Sequence, residues 1–232
     1  MPDTKVIVCL ANSRKHSGRC VAGKEVLADG YGKWIRPVSA RPSAEISEEE
    51  RRYEKGVLPK VLDIIKIPII GATPQLYQSE NYVIDAEYYW VKKDEVSWND
   101  VRQLADKPAP IWTNNDSTYY GLNDRVKVDI AAKLNNSLMP IDPEDLTIKV
   151  VSEGAEFGNA RRRVRADFKH LGTYYSLIVT DPVAERALLA KENAEYRPKD
   201  TYLCISCISL GEAHTDGWCY KLVATVISKQ PL

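Results

Sequence analysis

Short stretches of apolar and β-branched residues, broken by glycine, proline and polar clusters, run through most of this chain. Val6-Ile7-Val8-Cys9-Leu10 is a continuous apolar run and predicts a buried strand. Glu25-Val26-Leu27 is a further short strand, closed by the turn Asp29-Gly30-Tyr31-Gly32. In Lys33-Trp34-Ile35-Arg36-Pro37-Val38 the strand period puts Trp34 and Arg36 on one face, and Pro37 places the segment at an edge or a strand end. Val61 to Ile70 is the most apolar segment and predicts a long core strand, with Tyr82-Val83-Ile84 as its neighbour. Later, Leu146-Thr147-Ile148-Lys149-Val150 alternates as a half-buried strand, and Val164, Ala166 and Phe168 alternate inward. Leu171-Gly172 turns that strand into the apolar run from Thr173 to Thr180. Strands at 202–210 and 220–227 complete the chain.

Helix signals are few and short. Ser47 with Glu50 is a capping box before a charged turn or two of helix ended by Gly56. Ser97 with Asp100 starts a short helix that buries Val101 and Leu104. Val126, Ile130 and Leu134 form a narrow stripe on a helix opened by Asn123. Asp181-Pro182 pairs an N-cap with proline at the first helical position, for a helix running to about Glu195. The fold class that follows is mainly β with short helices. It comprises one antiparallel barrel over residues 1–90, a helical and irregular connector over 91–140, and a second β-rich barrel over 141–232.

Charge narrows the function classes. The 232 residues carry 32 Lys+Arg against 32 Asp+Glu, which excludes a uniformly basic coat and makes any anion site local. Tyr and Trp, at 13 and 5, far outnumber the 2 Phe, a bias that suits half-buried sheet faces and stacking surfaces. Met1-Pro2-Asp3-Thr4-Lys5 and the short run after it predict no secretory leader, and no segment is long enough to span a bilayer. Five cysteines without regular spacing predict reduced thiols and a cytoplasmic location.

Two stretches offer anion chemistry. Asn12, Ser13, Arg14, Lys15, His16 and Arg19 cluster in a glycine-containing stretch that no core would accommodate, because unpaired cations are costly to bury. Backbone N–H groups freed by Gly18 and Gly23 would suit a phosphate or carboxylate; a solvated hairpin tip is the plainer reading. Trp34 and Arg36 offer an aromatic and a guanidinium together, or else a core residue and a solvated one. The second stretch projects Arg161, Arg163, Arg165 and Asp167 from one strand face, beside Tyr174 and Tyr175 on the partner strand.

These segments resemble the dual OB-domain family of prokaryotic conflict and defence neighbourhoods. The resemblance is carried by Asn12-Ser13-Arg14-Lys15, Arg19-Cys20-Val21-Ala22-Gly23 and Trp34-Ile35-Arg36-Pro37-Val38. It is extended by Leu62-Asp63-Ile64, Val179-Thr180-Asp181-Pro182, Ile208-Ser209-Leu210-Gly211 and Tyr220-Lys221-Leu222-Val223-Ala224. It implies two consecutive OB-like barrels and a nucleic-acid ligand.

Rival chemistries are weaker on the residues. Cys204, Cys207, His214 and Cys219 could be read as zinc ligands, but Cys204 and Cys207 alternate across a strand and lack a knuckle turn, so no metal is expected. Cys20 near His16 lacks an assignable third residue for nucleophilic catalysis. Asp63, Asp167 and Asp181 lie on separate segments, and no phosphate-loop or dinucleotide fingerprint is present. The expected function is non-catalytic binding of single-stranded DNA or RNA, with no cofactor, because no basic recognition helix suits duplex DNA. Contacts would come from Asn12, Ser13, Arg14, Lys15, His16, Arg19, Trp34, Arg36, Arg161, Arg163, Arg165 and Tyr175. The alternatives are a nucleotide- or nucleic-acid-processing enzyme with Cys20, His16 and the aspartates Asp63, Asp167 and Asp181 around a pocket, or an adaptor that pairs edge strands with protein partners in a defence complex.

Overall fold

A computed structural model describes residues 2–15, 17–75, 78–106, 109–208 and 217–232, with backbone only for Lys15, Cys207 and Ile208. The chain divides into two compact units, Met1–Leu104 with Asn135–Ser137, and Ala105–Leu134 with Leu138–Leu232. Both are mainly β, as expected, and both have OB-like topology.

The first unit contains β1 (Asp3–Lys15), β2 (Gly18–Leu27), β3 (Gly30–Val38), β4 (Asp63–Ala72), β5 (Asn81–Ile84) and β6 (Val91–Glu95), with helix α1 (Glu48–Arg51) between β3 and β4. The strands follow the order β1-β2-β3-β5-β4, and β4 pairs back onto β1 from Val8↔Ile64 to Asp3↔Ile69, which closes a barrel. The β3–β5 contact is parallel and the other ladders are antiparallel. Pro37 lies past Ile35, the last residue of β3 paired to β2, so its missing N–H breaks no β2–β3 bond. Ile7, Cys9, Val21, Ile35, Ile65, Ile67 and Trp90 fill the interior.

The capping box at α1 is complete. The Glu50 N–H donates to Ser47 Oγ at 3.2 Å, and the Ser47 N–H donates to Glu50 Oε2 at 2.8 Å. Burial opposes ionisation of Glu50, but hydrogen bonds from Ser39 and Ser47, together with the Arg41 guanidinium at 2.8 Å, outweigh it and hold the carboxyl below its usual range. The folded value is thus lower than the unfolded one. The resulting stabilisation is present above the unfolded carboxylate pKa of about 4.3 and is lost as pH falls through the folded value. Glu50→Gln is expected to be less stable than the parent at neutral pH and to draw level in acid. Chemical denaturation across pH checks this, and a constant gap would exclude it.

The second unit contains β7 (Arg125–Lys127), helix α2 (Val128–Ala131), β8 (Leu138–Ile141), β9 (Glu144–Glu153), β10 (Arg161–His170) and β11 (Thr173–Ile178). Helix α3 (Pro182–Leu189), β12 (Glu195–Tyr196), β13 (Thr201–Ile208) and β14 (Trp218–Ser228) follow. Two four-stranded sheets, β11-β10-β9-β12 and β7-β14-β13-β8, enclose one core that includes Ile148, Val150, Phe168, Leu177, Leu203 and Val223. A parallel bridge Val179↔Val223 carries the end of β11 onto β14, as β3 meets β5 in the first barrel. Where the first barrel closes by pairing its first and fourth strands, here β12 covers β9 and β8 covers β13.

Of residues 91–140, β6 and the 3₁₀ turn Trp98–Leu104 belong to the first unit. The helix expected from Asn123 is instead strand β7 followed by one turn of helix. Asn123 has φ 53°, outside the extended region typical of an α-helix N-cap, and Val126 is buried opposite Cys219 in the sheet. Likewise α3 stops at Leu189, and Glu195 joins β12.

Candidate nucleic-acid interface

The basic stretch at residues 12–23 is not a loop. Asn12↔Val21, Ser13↔Cys20, Arg14↔Arg19 and Lys15↔Gly18 pair as a continuous hairpin. Neither Gly18 nor Gly23 has a positive φ, so neither forms the turned-out nest that cradles anions. They permit close approach instead: a Cβ on Gly23 would lie 1.9 Å from the Val8 carbonyl oxygen, and one on Gly18 would lie 2.6 Å from that of Ile46. Asn12 Nδ2 donates to the Pro59 carbonyl at 3.1 Å, and Ser13 is buried. Arg14 is exposed at the hairpin end and Arg19 is half-buried, while His16 and the Lys15 side chain lie outside the described residues. Trp34 and Arg36 do share a face, the one opposite the barrel-lining Ile35, and that face is buried too. Arg36 is 3% exposed and pairs with Glu80 at 3.0 Å. These burials remove Ser13, Trp34 and Arg36 from any exposed surface.

The rival chemistries of the first barrel meet similar limits. Cys20 sits half-buried on β2 opposite Ser13. Asp63 is 2% exposed and is held by the Tyr53 hydroxyl at 2.7 Å, the Lys60 N–H at 2.9 Å and Lys92. In the second unit Asp167 takes Ser176 Oγ and Lys149, whereas Asp181 caps α3. The three aspartates thus have separate partners. Cys204 and Cys219 are buried; the Cys207 side chain and His214 lie outside the described residues. Among the described residues no cluster of three or more His, Cys, Asp or Glu is placed to hold a metal.

The second barrel has an open cleft of about 470 Å³. Its floor comes from β10, through Arg163 and Arg165, and from β14, through Tyr220, Lys221 and Leu222. Its rim is the β9–β10 connection, where Gly154 (φ 87°) and Gly158 (φ 68°) bracket a 3₁₀ turn that lifts Phe157 outward. Phe157 is 65% exposed and Tyr119 is 73% exposed. Both meet Tyr120 edge to face, with centroids of Tyr119 and Tyr120 at 4.9 Å, Tyr119 and Phe157 at 5.3 Å, and Tyr120 and Phe157 at 6.5 Å. The Tyr120 hydroxyl accepts the Gly154 N–H at 2.7 Å, tying the aromatic trio to the loop. Desolvation and a hydrogen bond donated to the Glu156 carboxylate push that hydroxyl's pKa up, and the bond from Tyr120 holds Glu156 down.

Segment 113–124, which supplies the tyrosines, is irregular yet firmly built. Asp124 accepts the Thr118 N–H at 2.7 Å, and Asn123 bridges the Asn115 N–H and the Tyr174 carbonyl. On the floor, Glu153 is 6% exposed and takes Arg165 through both Nε and Nη2, with Arg163 Nε at 3.8 Å. The expected ladder of arginines is therefore graded. Arg161 is exposed and bonds Asn159, Arg163 is 41% exposed at its side chain, and Arg165 is buried. Arg162 turns away to the carbonyls of Leu189 and Lys191 at the end of α3. Tyr175 points inward, stacked on Phe168 at 5.3 Å, and is only 2% exposed; its neighbour Tyr174 is the exposed one.

A family model described as the Dual OB-containing domain matches residues 5–226, nearly the whole chain. The chain belongs to that family. No curated protein matches it, and no solved structure matches it. OB folds present ligands on the face of strands two and three and between the loops joining strands one to two and four to five. In the second barrel of this dual OB-containing chain, strand two is β10 and the one-to-two loop is residues 154–160, which is where the cleft lies. The reading from residues alone did not single out Tyr119, Tyr120 or Phe157. The signal was present: one of only 2 Phe residues stands between two glycines, just before an arginine run.

No helix among the described residues is long and apolar enough to cross a membrane, which leaves strand-built spans unaddressed.

Proposed function

We propose that this protein binds single-stranded nucleic acid through the cleft of its second barrel, with a base stacked on Phe157 and a phosphate set against Arg163. The observation that carries the reading is the aromatic trio of exposed Tyr119 and Phe157 with half-buried Tyr120, beside a half-exposed guanidinium on the OB ligand face. Aromatic faces serve single strands because every base has a π-face, whereas duplexes hide theirs. Arg161 and Arg163 supply positive charge, and Arg14 and Arg19 offer a second cationic end on the first barrel. The binding is non-catalytic. A setting in a prokaryotic defence or conflict system, with protein partners, rests on the resemblance. Among the described residues no disulfide joins Cys9, Cys20, Cys204 or Cys219, which supports the cytoplasm as the compartment.

Titration against labelled single-stranded RNA, single-stranded DNA and duplex tests the reading. Loss of a stacked base costs about 1–3 kcal/mol, so Phe157→Ala is expected to weaken single-strand binding roughly 5- to 150-fold with an unchanged melting temperature. Equal affinity of parent and variant, or a preference for duplex, would overturn it.

A further inference from the structure

The second-barrel cleft is poorly equipped to follow a phosphate backbone. Among the described residues that line it the cations are Arg163, Arg165 and Lys221. Arg165 is committed to Glu153. Lys221 is 1% exposed, donates to the Thr113 carbonyl at 2.6 Å and to Asn114 Oδ1 at 3.2 Å, and lies over the Tyr175 ring. That leaves Arg163, whose side chain is 41% exposed and whose contact with Glu153 is the looser one at 3.8 Å, facing the opening. Two carboxylates, Glu153 and Asp124, share the lining and are each 6% exposed, so a second phosphate in the cleft would meet like charge. The volume, about 470 Å³, lies in the range that encloses one small organic ligand.

Resting on the binding function proposed above, we infer that this cleft holds one nucleotide unit: a single base on Phe157 and the single phosphate beside it at Arg163. The ligand is a chain end or a splayed nucleotide rather than a tracked strand. Arg161, exposed next to the cleft, meets the following phosphate at most.

The test is competition, on the full chain, between a fluorescent single strand and unlabelled nucleoside 5′-monophosphates or oligonucleotides of two, three, six and twelve residues. Affinity is expected to rise from one to two nucleotides and then to level off, apart from the statistical gain of extra binding registers. The slope of log K against log salt is expected to be about 0.7–1.4, the value for one or two phosphates on a single strand. Arg163→Ala is expected to lower that slope by about 0.7, and Arg163→Lys to restore it. An affinity that climbs roughly tenfold or more between three and twelve nucleotides, with a slope of several phosphates, would overturn the one-nucleotide site while leaving single-strand binding standing. Failure of every competitor and of the labelled strand itself would remove both.

Discussion

Arg36→Ala is expected to destabilise the first barrel by about 3–5 kcal/mol, the usual cost of removing one partner from a buried ion pair. Arg36 and Glu80 are each nearly inaccessible, and their charged atoms lie 3.0 Å apart. Between them the fully buried Ser137 accepts from Arg36 Nη2 at 2.6 Å and donates to Glu80. Loss of the guanidinium strands a carboxylate in the barrel wall with only a hydroxyl as partner. The arrangement is nonetheless imperfect, since Arg36 Nε and Glu80 Oε2 are buried without a hydrogen-bond partner. Combining Arg36→Met with Glu80→Leu is therefore expected to cost far less than either single loss, and such replacements are often neutral. Hydrogen exchange on peptides from β1 and β4, under increasing denaturant, reads the first barrel separately from the second. A loss below about 1 kcal/mol for Arg36→Ala would mean that the pair does not carry the charge assigned to it.

That arginine also shows what pattern can and cannot convey. A period of two correctly places Trp34 and Arg36 on one face, but it does not say that this face, opposite the core-facing Ile35, is also covered. The reason is that the partners which make burial of a charge tolerable are distant in sequence, Ser137 being 101 residues away. Signals that act within one turn were readable: Ser47 with Glu50, and Asp181 with Pro182, form the caps their spacing predicts. The strands at Val6, Ile64, Val164, Leu177 and Val223 were equally plain, because apolar alternation is a local property. At 12–23 the sequence allowed both a hairpin tip and an anion-binding loop, because its polar residues say nothing about a ladder whose bonds come from the facing strand. Val126, Ile130 and Leu134 matched a helical stripe by coincidence, and β14 claimed Val126 instead. At the site, Arg163 and Arg165 were visible as a cationic strand. What could not be read was which arginine Glu153 would neutralise, or that Tyr119 and Tyr120 would meet Phe157 across more than thirty residues of chain.

Asp181→Ala is expected to destabilise the second barrel by about 2–4 kcal/mol, as two separate losses at one carboxylate. Oδ1 accepts the N–H groups of Val183 and Ala184 at 2.9 and 3.2 Å and so caps α3, a role worth about 0.5–2 kcal/mol. Oδ2 accepts the Val226 N–H from β14 at 3.1 Å, and a buried N–H left without a partner costs about 1–3 kcal/mol. The side chain is only 5% exposed, so water has little access to replace it. Asp181→Ser separates the two contributions. Its hydroxyl can cap the helix but is too short to reach Val226, and it is expected to recover the capping part alone. Because β14 also carries Tyr220 and Leu222 to the cleft and both variants lose the Val226 bond, folded Asp181→Ala and Asp181→Ser are each expected to bind single strands less tightly than the parent. Denaturation midpoints and strand titrations on the same pair of variants check both statements. Identical stabilities for the two would show that the cap contributes nothing. A loss under about 1 kcal/mol in both would show that the Val226 bond is not needed to hold β14.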